Sequence, residues 1–129
     1  MSIYIYKVAL KGLYRVLNRI QKFFLSADQL LVRQVQKHQY KTVSVYGIGE
    51  VGVAVVSLLT GKGIKLEHWY DSKIATQNNH YLGHTLTPYA ELKHDRSEAI
   101  IIASEAFTEQ IQKVIEDNLY SGTIVKLKP

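Results

Sequence analysis

Three observations predict an α/β domain built on a parallel sheet. Residues 41–46 form a short β-rich run that leads into Gly47-Ile48-Gly49-Glu50-Val51-Gly52, a G-x-G-x-x-G loop. A second β-rich run, residues 64–70, ends at Asp71, about twenty residues after the loop, as in a dinucleotide-binding βαβ unit. Ala99-Ile100-Ile101-Ile102-Ala103 is continuously apolar, the pattern of a central parallel strand covered on both faces.

Taken along the chain, residues 41–46 predict strand one, 51–59 the first crossover helix and 64–70 strand two. Residues 72–83 contain Asn78-Asn79 and little apolar periodicity, so they predict an abbreviated crossover where a standard unit has a helix. A short third strand over 84–87 and a turn or one helical turn over 88–92 follow. The apolar run at 99–103 is strand four. Phe107, Ile111, Val114, Ile115 and Leu119 then share one face of a helix over 107–119, Gly122 is its stop signal, and 123–127 is the last strand. The sum is a Rossmann-like parallel sheet of about five strands in the order 3-2-1-4-5, with a pocket above the carboxyl ends of strands one and four.

Residues 1–40 read as a separate N-terminal amphipathic helical segment, and residues 41–129 as the nucleotide-binding domain. At 100° per residue, Tyr6, Ala9, Leu10, Leu13, Val16, Leu17, Ile20, Phe23 and Phe24 fall on one helical face, with Lys7, Lys11, Arg15, Arg19 and Lys22 opposite. Ser26 and Gln29 have capping-box spacing and start a second helix through Gln39, turning Ala27, Leu30, Leu31 and Val35 inward. The formal net charge of +5 is concentrated here: residues 1–42 hold eight basic side chains and the single acid Asp28, whereas residues 43–129 hold eight basic and ten acidic ones. The apolar face needs a cover. The chain's own sheet, thinly covered where the crossover helix is missing, and a second copy in a homo-oligomer are the first expectations. An anionic membrane surface is the alternative, since each cation of the opposite face adds about 1 kcal/mol there. Nucleic acid is disfavoured, because the basic face has little aromatic interleaving.

With 129 residues, 47% of them hydrophobic, the chain suffices for one domain with a core but not for an added substrate domain. The absence of cysteine excludes disulfides, thiolate nucleophiles and cysteine-ligated zinc. No apolar run approaches the length of a membrane span, and the basic N-terminus lacks the apolar core of a secretory signal. A cytoplasmic location is expected, with a membrane-peripheral one as the alternative.

Each glycine of the loop has its own task. Gly47 permits a tight turn, Gly49 lets the backbone approach a pyrophosphate, and Gly52 lets the helix pack on the strand. Asp71 accepts hydrogen bonds from ribose hydroxyls and repels a 2'-phosphate, which Lys73 only softens, so NAD is favoured over NADP. Glu50 suits the helix dipole but opposes a phosphate if it points inward. A methyltransferase using S-adenosylmethionine has a similar loop, but normally carries an acid two positions before the first glycine, where Val45 stands here.

The segments Tyr46-Gly47-Ile48-Gly49-Glu50-Val51-Gly52, Tyr70-Asp71-Ser72, Gly83-His84-Thr85-Leu86-Thr87-Pro88 leading to Glu91-Leu92, and Ile101-Ile102-Ala103-Ser104 with Phe107 together carry a resemblance. Over residues 42–128 the chain resembles the small Rossmann-type NAD(P)- or nucleotide-binding domains of bacterial surface-polysaccharide and sugar-nucleotide enzymes, such as nucleoside-diphosphate-sugar epimerase or dehydratase-like proteins. The resemblance implies binding of NAD or a nucleotide-sugar at Gly47, Gly49, Val51, Asp71 and Ser104. It departs from many members in having one acid after strand two where two are common, and in lacking an attached catalytic domain. The full set of expected cofactor contacts is Gly47, Ile48, Gly49, Glu50, Val51, Gly52, Asp71, Ser72, Ala103 and Ser104.

No catalytic or metal-ligating residue is assigned. Tyr89 and Lys93 have Y-x-x-x-K spacing, but lie beside Pro88 and before strand four rather than on a later helix. His80 and His84 are four apart, a ligand spacing only on a helix, and Gly83 and Asn78-Asn79 argue for a loop. The expected function is a dinucleotide or nucleotide-sugar binding module, acting as sensor or accessory subunit in sugar-nucleotide or polysaccharide metabolism. The alternatives are a sugar-nucleotide oxidoreductase completed by oligomerisation or a partner, and a membrane-peripheral or assembly protein with a vestigial nucleotide fold.

Overall fold

Four parallel strands form the central sheet of the computed structural model, which describes residues 11–13, 15–16 and 25–127. In chain order the elements are helix α1 (Ala27–Lys37), strand β1 (Thr42–Tyr46), helix α2 (Glu50–Thr60), strand β2 (Lys65–Tyr70), strands β3 (Asn79–Tyr81) and β4 (His84–Leu86), a 3-10 segment (Tyr89–His94), strand β5 (Ala99–Ile102), helix α3 (Thr108–Asp117) and strand β6 (Thr123–Val125). The sheet order is β2-β1-β5-β6. Strands one, two, four and five of the sequence reading thus take their expected neighbours.

The expected third strand is corrected. His84–Leu86 pairs antiparallel with Asn79–Tyr81 in a separate hairpin. It reaches the main sheet through one parallel bridge between Tyr70 and Thr87, where the Thr87 N–H donates to the Trp69 carbonyl at 2.8 Å. The cause is local. Leu82 (φ 50°) and Gly83 (φ 79°) form a two-residue turn with positive φ at both positions, the geometry that closes antiparallel hairpins. The preceding polar stretch is too short and too aperiodic to form the helix that a parallel return needs.

Alternation along the strands splits the core in two. Val43, Val45, Trp69, Ala99, Ile101, Ala103 and Val125 face α1 and α2, meeting Leu31, Val32 and Val35 from the first and Val55, Val56 and Leu59 from the second. Tyr46, Tyr70, Ile100 and Ile102 face the other way, toward Leu92 of the 3-10 segment and Ile111 and Ile115 of α3. A bulge in β2 opposite Ser44 keeps Trp69 in register with Val45 and Tyr70 with Tyr46.

The expected start of α1 is borne out, with the Ser26 N–H donating to Gln29 Oε1 at 3.2 Å. Its inward face is shifted: Val32 is buried and Leu30 is 38% exposed. The helix packs against α2 and β6. The place of the missing crossover helix beside β2 is instead filled by the hairpin, whose Tyr81 and His84 meet the Trp69 ring edge-on at centroid distances of 5.8 and 5.5 Å. The earlier amphipathic helix lies largely outside the described residues. Within them, 11–13 and 15–16 are helical, and Leu13 and Val16 are 54% and 52% exposed. No helix among the described residues is long and apolar enough to cross a membrane.

One polar cluster is set inside the second core layer. Ser44 of β1 points into it, and its hydroxyl donates to Asp95 Oδ2 at 2.6 Å. The same carboxylate accepts the Tyr70 hydroxyl at 2.8 Å and the Ser97 N–H at 2.8 Å. Tyr120 closes the group by donating to the Ser97 carbonyl at 2.9 Å. Burial alone pushes the Asp95 carboxyl up, but its hydrogen bonds from Ser44, Ser97 and Tyr70 outweigh that and hold it below the ordinary value. Burial, with the hydrogen bond to Asp95, pushes the Tyr70 phenol up, so it remains a donor.

Because the folded Asp95 titrates below the unfolded value of 3.8, its contribution to stability is complete above that pH and is lost as pH falls through the folded value. Asp95→Asn is expected to lower stability at neutral pH by about 2 to 4 kcal/mol, since it turns a donor toward donors. The gap between wild type and variant is expected to narrow below about pH 4, as urea unfolding at several pH values would reveal.

Candidate nucleotide site

The loop that leaves β1 is shaped by contacts with the rest of the chain at two of its three glycines. Gly47 has φ +124°, and a Cβ there would lie 2.8 Å from the Ala103 carbonyl oxygen. Its N–H donates to the Tyr70 carbonyl at 2.8 Å, and its carbonyl accepts the Trp69 indole N–H at 2.6 Å. Gly52 lies over the same carbonyl, so a Cβ would overlap the Gly47 oxygen outright. Gly49 differs: its φ of −74° suits any residue, and a Cβ would meet nothing within 4 Å.

Gly49 is the N-cap of α2, and its own N–H and those of Glu50 and Val51 have no acceptor among the described residues. They border a cavity of about 750 Å3 at the carboxyl ends of β1 and β5. Of the ten expected contacts, Gly47, Ile48, Gly49, Glu50, Val51, Asp71, Ser72, Ala103 and Ser104 line this cavity, while Gly52 is buried behind them.

Asp71 is held facing the loop. Its Oδ2 accepts the Ile48 N–H at 3.2 Å and its Oδ1 accepts the Lys73 N–H at 2.9 Å. Each oxygen keeps a further lone pair for a ligand hydroxyl. Beneath it, the Tyr46 hydroxyl lies 2.8 Å from Ser72 Oγ and ties the end of β1 to the turn after β2. Burial pushes the Tyr46 phenol up, so it stays protonated. The lining carries Glu50, Asp71 and Glu105 against Lys73, an acidic surplus.

On the far side, Ser104 Oγ accepts the Phe107 N–H at 3.0 Å, and Ser104 O accepts the Thr108 hydroxyl at 3.0 Å. This turn corrects the expected inward face of the last helix. Phe107 is the residue before α3 and is 61% exposed at the cavity; Leu119 lies beyond the helix end with φ 62° and is 72% exposed. Glu105 and Gln110 also line the cavity without having been singled out from the sequence, and Tyr46, the end of strand one, and Lys73, weighed there only against a 2'-phosphate, line it as well. The Ser104-to-Thr108 spacing carried the one readable signal, a serine that caps the following turn.

The other candidates stand apart from this cavity. Tyr89 and Lys93 lie in the 3-10 segment, Tyr89 packed against the second core layer. His80 and His84 sit on opposite strands of the hairpin. Among the described residues, no group of three or more His, Cys, Asp or Glu side chains could hold a metal ion. No protein-family model, curated protein or solved structure matches the chain.

The two glycines are expected to respond differently to a methyl group. Gly52→Ala should cost about 3 kcal/mol by forcing α2 off Gly47. Gly49→Ala should change stability by less than about 1 kcal/mol, since its Cβ enters open space. Denaturant unfolding of the two variants checks both values.

Proposed function

We propose that the chain binds a dinucleotide of the NAD type in this cavity, with the diphosphate on the amides of Gly49, Glu50 and Val51 and a ribose on Asp71. The observation that carries the reading is Gly49. The fold requires glycine at 47 and 52 but not at 49, the N-cap of α2 on the cavity lining, where a Cβ would meet nothing within 4 Å; a ligand's close approach would give this third glycine its need. The Asp71 carboxylate, fixed by two backbone N–H groups, supplies a preorganised acceptor on the neighbouring strand. The acidic surplus of the lining favours NAD over NADP. A nucleotide-sugar shares the diphosphate and ribose and is the next ligand class.

The role is that of a sensor or accessory subunit in sugar-nucleotide or polysaccharide metabolism, a setting drawn from the residue pattern of the loop, the Asp71 turn and the segment at 101–104. Binding is favoured over turnover because the Y-x-x-x-K pair lies outside the cavity lining. The exposure of Leu13 and Val16 beside Lys11 and Arg15 favours a second role for the N-terminal segment, in assembly with another copy or contact with an anionic membrane.

Calorimetric titration of the full chain with NAD, NADP and a UDP-sugar tests the reading. NAD is expected to bind more tightly than NADP, and Asp71→Asn to weaken it about tenfold or more through loss of charged hydrogen bonds to the ribose. Absence of binding by all three, or an unchanged NAD affinity in the variant, would refute the assignment.

A further inference from the structure

The cavity has two unlike walls. One is polar, made by the glycine loop and Asp71; the other is apolar, made by Ala103, Phe107, Ile111 and Val114. Ile111 belongs to the core layer beneath and Val114 packs against it, so both have structural reasons to be apolar. Phe107 differs: the residue is 61% exposed and belongs to neither apolar core cluster. Its backbone is nonetheless fixed, by its own N–H on Ser104 Oγ and by the neighbouring Thr108 hydroxyl on Ser104 O. A large, mostly exposed aromatic residue on the lining of a cavity matches a binding platform better than a folding element.

We infer that Phe107 is the platform on which the ligand's nucleobase stacks, so that the cavity selects a ligand with a planar aromatic base and rejects a bare sugar phosphate. This rests on the nucleotide reading above and adds to it the orientation of the ligand: phosphate and ribose on the loop and Asp71, base on the β5–α3 turn. A flat ring covering Phe107 removes apolar surface from water on both partners, and base–aromatic stacking tolerates different bases because each presents a π-face.

The test compares ADP-ribose with ribose 5-phosphate on the full-length wild type and three variants. Phe107→Ala is expected to weaken ADP-ribose about tenfold or more with an unchanged unfolding midpoint, and Phe107→Tyr to retain the affinity. In Phe107→Trp, ADP-ribose is expected to quench indole emission while ribose 5-phosphate does not, with the wild type and its single buried Trp69 as the baseline. Equal ADP-ribose affinity in wild type and Phe107→Ala would overturn the stacking role while leaving the nucleotide reading in place. Failure of the wild type to bind ADP-ribose at all would overturn both.

Discussion

The fold turns on the single peptide at Gly47. Its N–H belongs to β2 through Tyr70, and its carbonyl takes the Trp69 indole at 2.6 Å and lies against Gly52 of α2. The space where its side chain would stand is closed by the Ala103 carbonyl beyond β5. Strand, helix and both neighbouring strands therefore meet at one residue. A side chain there would press on β5 and strain the backbone, which sits at a φ that favours glycine. This junction also fixes the start of α2, and with it the place of the free amides of Gly49, Glu50 and Val51 on the cavity lining.

The second constraint lies on the opposite side of β1. Ser44 places a hydroxyl in a buried layer, and such a group is tolerated only when its hydrogen-bonding capacity is met. Asp95 meets it and also takes Tyr70, the residue directly before Asp71. The carboxylate under the sheet thereby holds the end of β2, while Tyr46 and Ser72 hold the turn after it. The stacked rings of Tyr46 and Tyr70, 6.2 Å apart, fill the space between. Asp71 is presented to the cavity by a rigid base rather than by a free loop, and preorganisation of this kind lowers the cost of ordering on binding.

The main sheet was legible because each strand carries its own signal. The run at 99–102 has no polar interruption, the segment at 42–46 passes straight into the glycines, and α3 shows helical spacing at Ile111 and Ile115. The cavity followed from the loop and Asp71 together. The hairpin was not legible, because its turn places Leu82 at positive φ, a conformation that a leucine does not advertise. The bulge in β2 was hidden for a similar reason: Leu66 and Trp69 both pack into the layer with α1 and α2 although three residues apart, which breaks the two-residue period. Asp95 reads as a surface acid between His94 and Arg96, and only the tertiary fold brings Ser44 and Tyr70 to it. Phe107 was drawn into the helical pattern by its spacing from Ile111, whereas Ser104 stops the helix one residue short of it.

The three amides at the start of α2 are where structure becomes chemistry, because a free donor at a helix N-terminus is satisfied by water or by an anion. The most direct test follows each of them individually, by recording backbone amide resonances of the full chain during titration with NAD. The amides of Gly49, Glu50 and Val51 are predicted to shift most, together with Lys73 beside Asp71. Saturable binding that leaves these amides unmoved and shifts resonances elsewhere would contradict the diphosphate site.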